Sequence, residues 1–179
     1  MQCLQGVTVW LTGLPSSGKS TIARLLERRF RKAGLKVELL DGDVVRTHLT
    51  KGLGFSREDR DLNVKRIGFV CHLLTRNGVI ALAAVVSPYR EARDSNRRMI
   101  GNFVEAYVKA SPKTCETRDV KGLYQKARAG EISGFTGVDD PYEEPLNPEI
   151  VCETESQTAE QSADKVVECL ERLGYLGKK

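Results

Sequence analysis

An eight-residue stretch, Gly13-Leu14-Pro15-Ser16-Ser17-Gly18-Lys19-Ser20, fits the pattern G-x-x-x-x-G-K-[ST] at every fixed position. Upstream lies Val7-Thr8-Val9-Trp10-Leu11-Thr12, a β-rich run. Downstream, Ile22, Leu25, Leu26, Phe30 and Ala33 recur at helical spacing until Gly34. Strand, glycine-bounded turn and helix in this order separate a phosphate-binding loop from a chance Gly/Ser-rich turn. The spacing has a chemical reason. Gly13 and Gly18 let the backbone wrap round a phosphate, through Ser16 and Ser17, so that several N–H groups point inward. The helix that starts near Lys19 presents its positive end to the same anion. Lys19 brings a full charge to β- and γ-phosphates, Ser20 a hydroxyl ligand for Mg²⁺, and Thr21 a hydroxyl for the α-phosphate. The ligand expected is a nucleotide.

The rest of the chain alternates between strand-like and helix-like segments. Val37-Glu38-Leu39-Leu40 reads as a second strand, closed by Asp41-Gly42-Asp43. Ser56 is an N-cap candidate for a helix whose apolar face holds Ile67, Val70, Cys71 and Leu74. The run Val79 to Val86 is apolar without interruption, as in a parallel strand buried on both faces. A charged helix over Arg90–Ile100, a strand over Phe103–Val108 and a short strand over Ile150–Thr154 follow. Thr158 with Gln161 forms a capping box before a helix lined by Ala163, Val166, Val167, Leu170 and Leu173. The pattern predicts an α/β three-layer sandwich of the P-loop NTPase type. Its five-stranded, mostly parallel sheet has helices on both faces. At 179 residues the chain is expected to be one kinase domain, 1–179, with Gly177-Lys178-Lys179 frayed.

Charge and cysteine usage narrow the function. The net charge of +4 is too mild to suggest nucleic acid, but it suits a small anion where the cations are gathered at one site. No apolar run approaches the length of a membrane span, and Met1 to Gly6 lacks the features of a signal peptide, so a cytoplasmic protein without a membrane partner is expected. Five widely spaced cysteines without a Cys-x-x-Cys fit reduced thiols, and two histidines leave no credible zinc site.

A phosphate-binding loop names a nucleotide, not a reaction. Here the long apolar strand ends in Val86-Ser87-Pro88 without an acid, while Asp41 and Asp43 end the second strand. Ligands of open parallel sheets bind beyond the carboxyl ends of the strands, which puts both acids near the loop on one edge. Taken alone, Asp-Gly-Asp reads equally well as a surface turn. Two functions remain open from these residues alone: a P-loop kinase of a small hydroxyl acceptor, such as a nucleoside monophosphate or a sugar acid, and a non-catalytic nucleotide-sensing module cut from a larger protein.

Further stretches carry a resemblance. They are Leu40-Asp41-Gly42-Asp43 with Arg46, Gly54-Phe55-Ser56 with Arg60 and Asn63, and Ser87-Pro88-Tyr89-Arg90. Arg118-Asp119-Val120-Lys121-Gly122-Leu123-Tyr124 follows, then Lys126-Ala127-Arg128-Ala129-Gly130-Glu131-Ile132 running into Gly134-Phe135-Thr136-Gly137 and Asp140-Pro141-Tyr142-Glu143. From about Gly6 to Thr154 the chain resembles the adenylylsulfate kinase family, which phosphorylates the ribose 3′-hydroxyl of adenylylsulfate with MgATP. The resemblance implies a role for each matching residue. Asp43 faces the acceptor hydroxyl, and a carboxylate there orients it and takes its proton. Asp41 joins the Mg²⁺ water network. Phe55 and Phe135 sandwich the acceptor adenine. Arg46, Arg60 and Asn63 hold the phosphosulfate with Lys121, while Val86, Ser87 and Gly134 contact adenylylsulfate. Arg118 is the candidate for the ATP adenine. The family's homodimer is implied as well.

The resemblance also has gaps. Pro15-Ser16-Ser17 stands where the family carries a Gly or Gly-Ala, and Pro15 removes a backbone donor. Ser87 also reads as a covalent phosphoserine acceptor, though direct transfer needs none. His48 and Arg93–Gly101 receive no role. The segment 118–137 reads as a lid, dense in cations and glycines, unable to bury itself in an apolar core and mobile without ligand.

Overall fold

The computed structural model describes residues 1–177, so Lys178 and Lys179 lie outside the description. In chain order the elements are β1 (Gln2–Cys3), β2 (Val7–Thr12), α1 (Lys19–Lys32), β3 (Val37–Asp41), α2 (Gly42–His48), α3 (Arg57–Arg76) and β4 (Ile80–Ala84). Then come α4 (Arg90–Ile100), β5 (Phe103–Lys109), α5 (Pro112–Arg118), α6 (Leu123–Arg128), β6 (Ile150–Glu153), α7 (Ala159–Arg172) and β7 (Leu176–Gly177). Five strands form one sheet in the order β3-β4-β2-β5-β6, every pairing parallel.

The sheet is covered on both faces because side chains alternate across each strand. Val9, Leu11 and Leu82 face α1 and α7, where Ile22, Leu26, Phe30, Val166 and Leu170 complete one core. Trp10, Ala81 and Ala83 face α3 and α4, where Val64, Ile67, Cys71 and Ala92 complete the other. The small Ala81 and Ala83 leave room for the indole of Trp10, which stacks on Phe103 at 5.8 Å. Gly68 brings α3 close to α4: a Cβ there would sit 2.1 Å from Asn96 Oδ1.

The caps follow the sequence. Ser56 accepts from the Asp59 N–H, and Thr158 and Gln161 close a capping box. Val70 stays at the rim of its helix, and Val64 completes that face instead. Ala33 and Leu173 fall just past their helix ends and are exposed. Gly177 is not frayed: Gln2–Cys3 and Leu176–Gly177 pair antiparallel as a two-stranded clasp. Residues 41–43 are not a turn. Asp41 is the N-cap of α2, its carboxylate accepting from the Asp43 N–H at 3.2 Å.

Candidate active site

The site lies along the carboxyl edge of the sheet. β2 is its central strand, so the loop that follows it sits at the middle of that edge. Gly13 is required there on steric grounds, since a Cβ would meet Val108 O at 2.3 Å. Gly18 caps α1 with φ 107°. Ser16 takes φ 61°, a left-handed conformation in which a glycine would be unstrained, so the serine departure costs some backbone energy. Lys19 is buried, and its Nζ donates to the carbonyls of Gly13 at 2.9 Å and Leu14 at 2.7 Å. Burial pushes its pKa down to about 8, against opposing pulls from Cys115, Asp41 and Asp43. The ammonium is thus held by its own loop. Ser17 is fully buried and its carbonyl accepts from Thr154 Oγ1 at 2.9 Å. Ser20 is half-buried and Thr21 exposed, both in the first turn of α1. Arg118 reaches the outer side of the loop, donating to Thr154 Oγ1 at 2.9 Å and Thr154 O at 2.6 Å.

The acceptor side is built from β3, α2, α3 and the segment after β4. Asp41 is buried, with Arg24 3.4 Å away. The Asp43 carboxylate is exposed and forms an ion pair with Lys121. Arg46 lies over the exposed Phe55 ring at 4.4 Å and donates to Gly54 O at 3.2 Å. Burial, followed by repulsion from Arg60, lowers the pKa of Arg46. Arg60 is buried and each of its three nitrogens donates: to Phe55 O at 2.9 Å, to Thr136 Oγ1 at 2.8 Å and to Gly134 O. Asn63 is buried as well, its Oδ1 accepting from Thr50 at 2.8 Å.

Phe55 and Phe135 are not alike, although both follow glycine. Phe55 is 54% exposed, whereas Phe135 is 8% exposed and meets Tyr124 edge-on at 4.9 Å. Phe135, Tyr124, Leu14, Cys115 and Ala127 form a third small core. The expectation that the lid lacks an apolar core is therefore corrected. Its apolar partner, Leu14, comes from the phosphate-binding loop itself, and Tyr124 also donates to Pro15 O at 3.1 Å. Two of the lid cations are paired too, Arg128 with Glu116 and Lys121 with Asp43.

Val86 and Ser87 form a tight turn with Ser87 at φ 42°. Trp10 Nε1 donates to Ser87 Oγ at 3.0 Å, Ser87 Oγ donates to Thr12 Oγ1 at 3.0 Å, and Thr12 Oγ1 donates to Val86 O at 2.7 Å. The one Thr12 hydroxyl proton goes to Val86 O, which leaves Tyr142 O–H to donate to Thr12 Oγ1 at 2.9 Å. The Ser87 hydroxyl is 2% exposed and occupied on both sides, with no base beside it. It has no geometry for accepting a phosphoryl group. Thr12, Trp10 and Tyr142 were invisible as site residues in the sequence; only the Asp140-Pro141-Tyr142-Glu143 motif hinted at the last.

Phosphates at Lys19 and an acceptor at Asp43 would lie within one electrostatic neighbourhood, since both acids act on the pKa of Lys19. That arrangement suits phosphoryl transfer to a hydroxyl. Among the described residues no helix is long and apolar enough to cross a membrane.

Known proteins carry the same pattern. The family model for adenylylsulphate kinase matches residues 5–153. An adenylyl-sulfate kinase of Rippkaea orientalis is 64% identical over 174 residues, 97% of this chain and 96% of the relative. One from Picosynechococcus sp. is 61% identical over 172 residues, 96% and 97% of the two chains. The structure of the Mycobacterium tuberculosis APS kinase CysC in complex with AMPPNP and APS superposes with a TM-score of 0.90 at 41% identity, covering 93% of this chain and 98% of that one. With sequence and structure agreeing over nearly its whole length, the chain belongs to the adenylylsulfate kinase family.

Proposed function

We propose that this protein transfers the γ-phosphate of ATP to the 3′-hydroxyl of adenylylsulfate, giving 3′-phosphoadenylylsulfate and ADP. The observation that carries the reading is the Lys121–Asp43 ion pair, which joins the cationic lid to an acid within the electrostatic reach of the phosphate-binding lysine. On this reading Asp43 orients the 3′-hydroxyl and takes its proton. The new O–P bond forms as the bond from γ-phosphorus to the β–γ bridging oxygen breaks, its electron pair leaving with ADP. Lys19 gives up its two loop carbonyls and stabilises the charge that builds on the transferring group. Lys121 moves from Asp43 to the phosphosulfate, which frees the base only when the acceptor is present. Arg46 and Asn63 complete the oxyanion grip, while Arg60 holds Gly134 and Phe135 over the acceptor adenine, opposite Phe55. Val86 and Ser87 supply the floor, and Arg118 borders the ATP adenine.

Mg²⁺ fits this donor set. The Ser20 hydroxyl and the Asp41 carboxylate, acting through water, are hard oxygen ligands suited to a cation that keeps much of its hydration. When bound, the metal neutralises charge on the β- and γ-phosphates. The working unit is taken as residues 1–179 with a lid over 118–137. We place it in the cytoplasm as a homodimer: five free cysteines fit a reducing compartment, and light scattering should give twice the mass of one chain.

The test is ADP release with adenylylsulfate, AMP and small sugar acids as acceptors. Rapid release with adenylylsulfate alone is expected. Equal turnover with AMP would remove the sulfate-reading role of Arg46, Asn63 and Lys121.

A further inference from the structure

The hydrogen-bond chain behind the acceptor turn ends on a residue to which the sequence assigns no role. Arg93 lies on α4 and is 2% exposed. Its guanidinium divides three ways. Nε donates to Glu105 Oε1 at 2.8 Å, one terminal nitrogen to the Ser87 carbonyl at 2.6 Å, and the other to the Glu143 carbonyl at 2.6 Å. Glu105, on β5, is tied to Arg97 at 3.4 Å, and its N–H donates to Glu149 Oε2 at 2.7 Å.

A buried ion pair alone is weak evidence of a stabilising device, because well-packed apolar residues of equal volume often do as well. A planar, forked guanidinium does something an apolar residue does not: it fixes two backbone carbonyls from separate segments at set positions. Both segments here belong to the site. Ser87 sits in a left-handed conformation that persists only where its surroundings over-determine it. Glu143 directly follows Tyr142, which bonds to Thr12 at the root of the phosphate-binding loop. Its N–H donates to Pro88 O at 2.9 Å, and its carboxylate accepts from the Arg90 N–H at 2.8 Å. Five residues before Tyr142, Gly137 ends the lid. Arg93 therefore joins the floor of the acceptor site to the stem on which the lid is mounted.

We propose that Arg93 is a positioning residue for adenylylsulfate, setting the Val86–Ser87 turn against the lid stem and so governing acceptor affinity and not ATP affinity. This inference rests on the acceptor reading above. It is not a claim of contact with substrate. Lysine at this position keeps the charge beside Glu105 but reaches only part of the fork. Gln at position 105 removes the ion pair and leaves both carbonyl bonds in place.

The experiment measures kcat and both KM values, with thermal melting, for the parent, Arg93→Lys and Glu105→Gln. Arg93→Lys is expected to raise KM for adenylylsulfate about tenfold, equivalent to about 1.4 kcal/mol, with KM for ATP within about twofold. Glu105→Gln is expected to keep both KM values near the parent even if it melts earlier. A purely structural role would lower the folded fraction, hence apparent kcat, and leave both KM values unmoved. If Arg93→Lys does not fold, the double variant Arg93→Met/Glu105→Gln, which strands no buried charge, carries the same expectation. An unchanged KM for adenylylsulfate, a matching rise in KM for ATP, or an equal rise in Glu105→Gln overturns the proposal. Parent enzyme that fails to turn over adenylylsulfate refutes the acceptor reading itself, so the two failures are distinct.

Discussion

Replacing Asp43 with asparagine keeps the size of the side chain and removes its charge and its basicity, and the structure separates the two consequences. The side chains of Asp43 and Lys121 are 66% and 54% exposed. Exposed pairs of this kind contribute about 0–1 kcal/mol. For a chain of this length, about 1 kcal/mol moves the melting temperature by about 2–4 °C. Asp43→Asn should therefore melt within about 4 °C of the parent. Losing the group that accepts the 3′-hydroxyl proton should lower kcat by about 10²–10⁴, equivalent to about 3–5 kcal/mol of barrier. The kinetic loss thus exceeds the stability loss several-fold, and no general weakening of the fold produces that ratio. Lys121→Met is the control: it breaks the same ion pair, should melt alike, and should raise KM for adenylylsulfate while leaving the base in place. The assay is coupled ADP release at saturating ATP, beside differential scanning calorimetry. A kcat within about threefold of the parent, well under 1.4 kcal/mol, would refute Asp43 as the base and move attention to Asp41. A melting temperature lowered by more than about 8 °C would show that the exposed-pair reasoning is wrong.

Burial holds the pKa of Lys19 at about 8 against 10.5, so the unfolded chain binds more protons between those values. The contribution of Lys19 to stability therefore rises with pH across that window and is lost as pH falls through about 8. Nucleotide phosphates should restore the proton, giving proton uptake on ADP binding near pH 8.5, by calorimetry in buffers of different ionisation enthalpy, that Lys19→Met abolishes. Phe55→Ala should raise KM for adenylylsulfate by an amount equivalent to about 1–3 kcal/mol of lost stacking with little change in melting. Phe135→Ala, which also empties the small core around Tyr124, should lower the melting temperature as well. Gly68→Ala should destabilise by about 1–3 kcal/mol in denaturant titration, because its new Cβ must displace Asn96 from the bond it donates to Val64 O.

Local features were legible wherever one element contained its own signal. The strand–turn–helix around Gly13–Ser20, the Ser56 cap and the Thr158–Gln161 box all need only neighbours in sequence. Asp41-Gly42-Asp43 was ambiguous because the same short carboxylate that makes a turn also caps a helix, and α2 begins there. Arg93 stands in Arg90-Glu91-Ala92-Arg93-Asp94-Ser95-Asn96-Arg97-Arg98, which reads as a solvated helix. Its burial depends on Glu105 from the next strand and on carbonyls of residues 87 and 143. The lid misled for the same reason. Judged by its own composition it has no core, yet Tyr124 and Phe135 pack on Leu14, over a hundred residues earlier. Phe55 and Phe135 share a glycine-flanked context and differ in burial only through what the fold brings to each. The clasp of β1 on β7 is two residues per strand, too short to leave any periodicity.

The strand order has a consequence for how such an enzyme comes off the ribosome. The lysine of the loop and both acids are encoded within the first 43 residues, yet β2 and β3 never touch. β4 lies between them, pairing Ala84 with Leu11 on one side and with Asp41 on the other. A nascent chain that has not yet released residues 80–84 holds two half-sites with no means of bringing them into register. β2 also waits for β5 on its other edge. Contacts of such wide separation are slow to close, and strands with unpaired edges invite non-native association in the interval. Catalytic competence in this fold therefore waits for strands that follow the lysine and both acids in the chain. A chain stalled before β4 emerges would be a client for chaperones and not a partial enzyme.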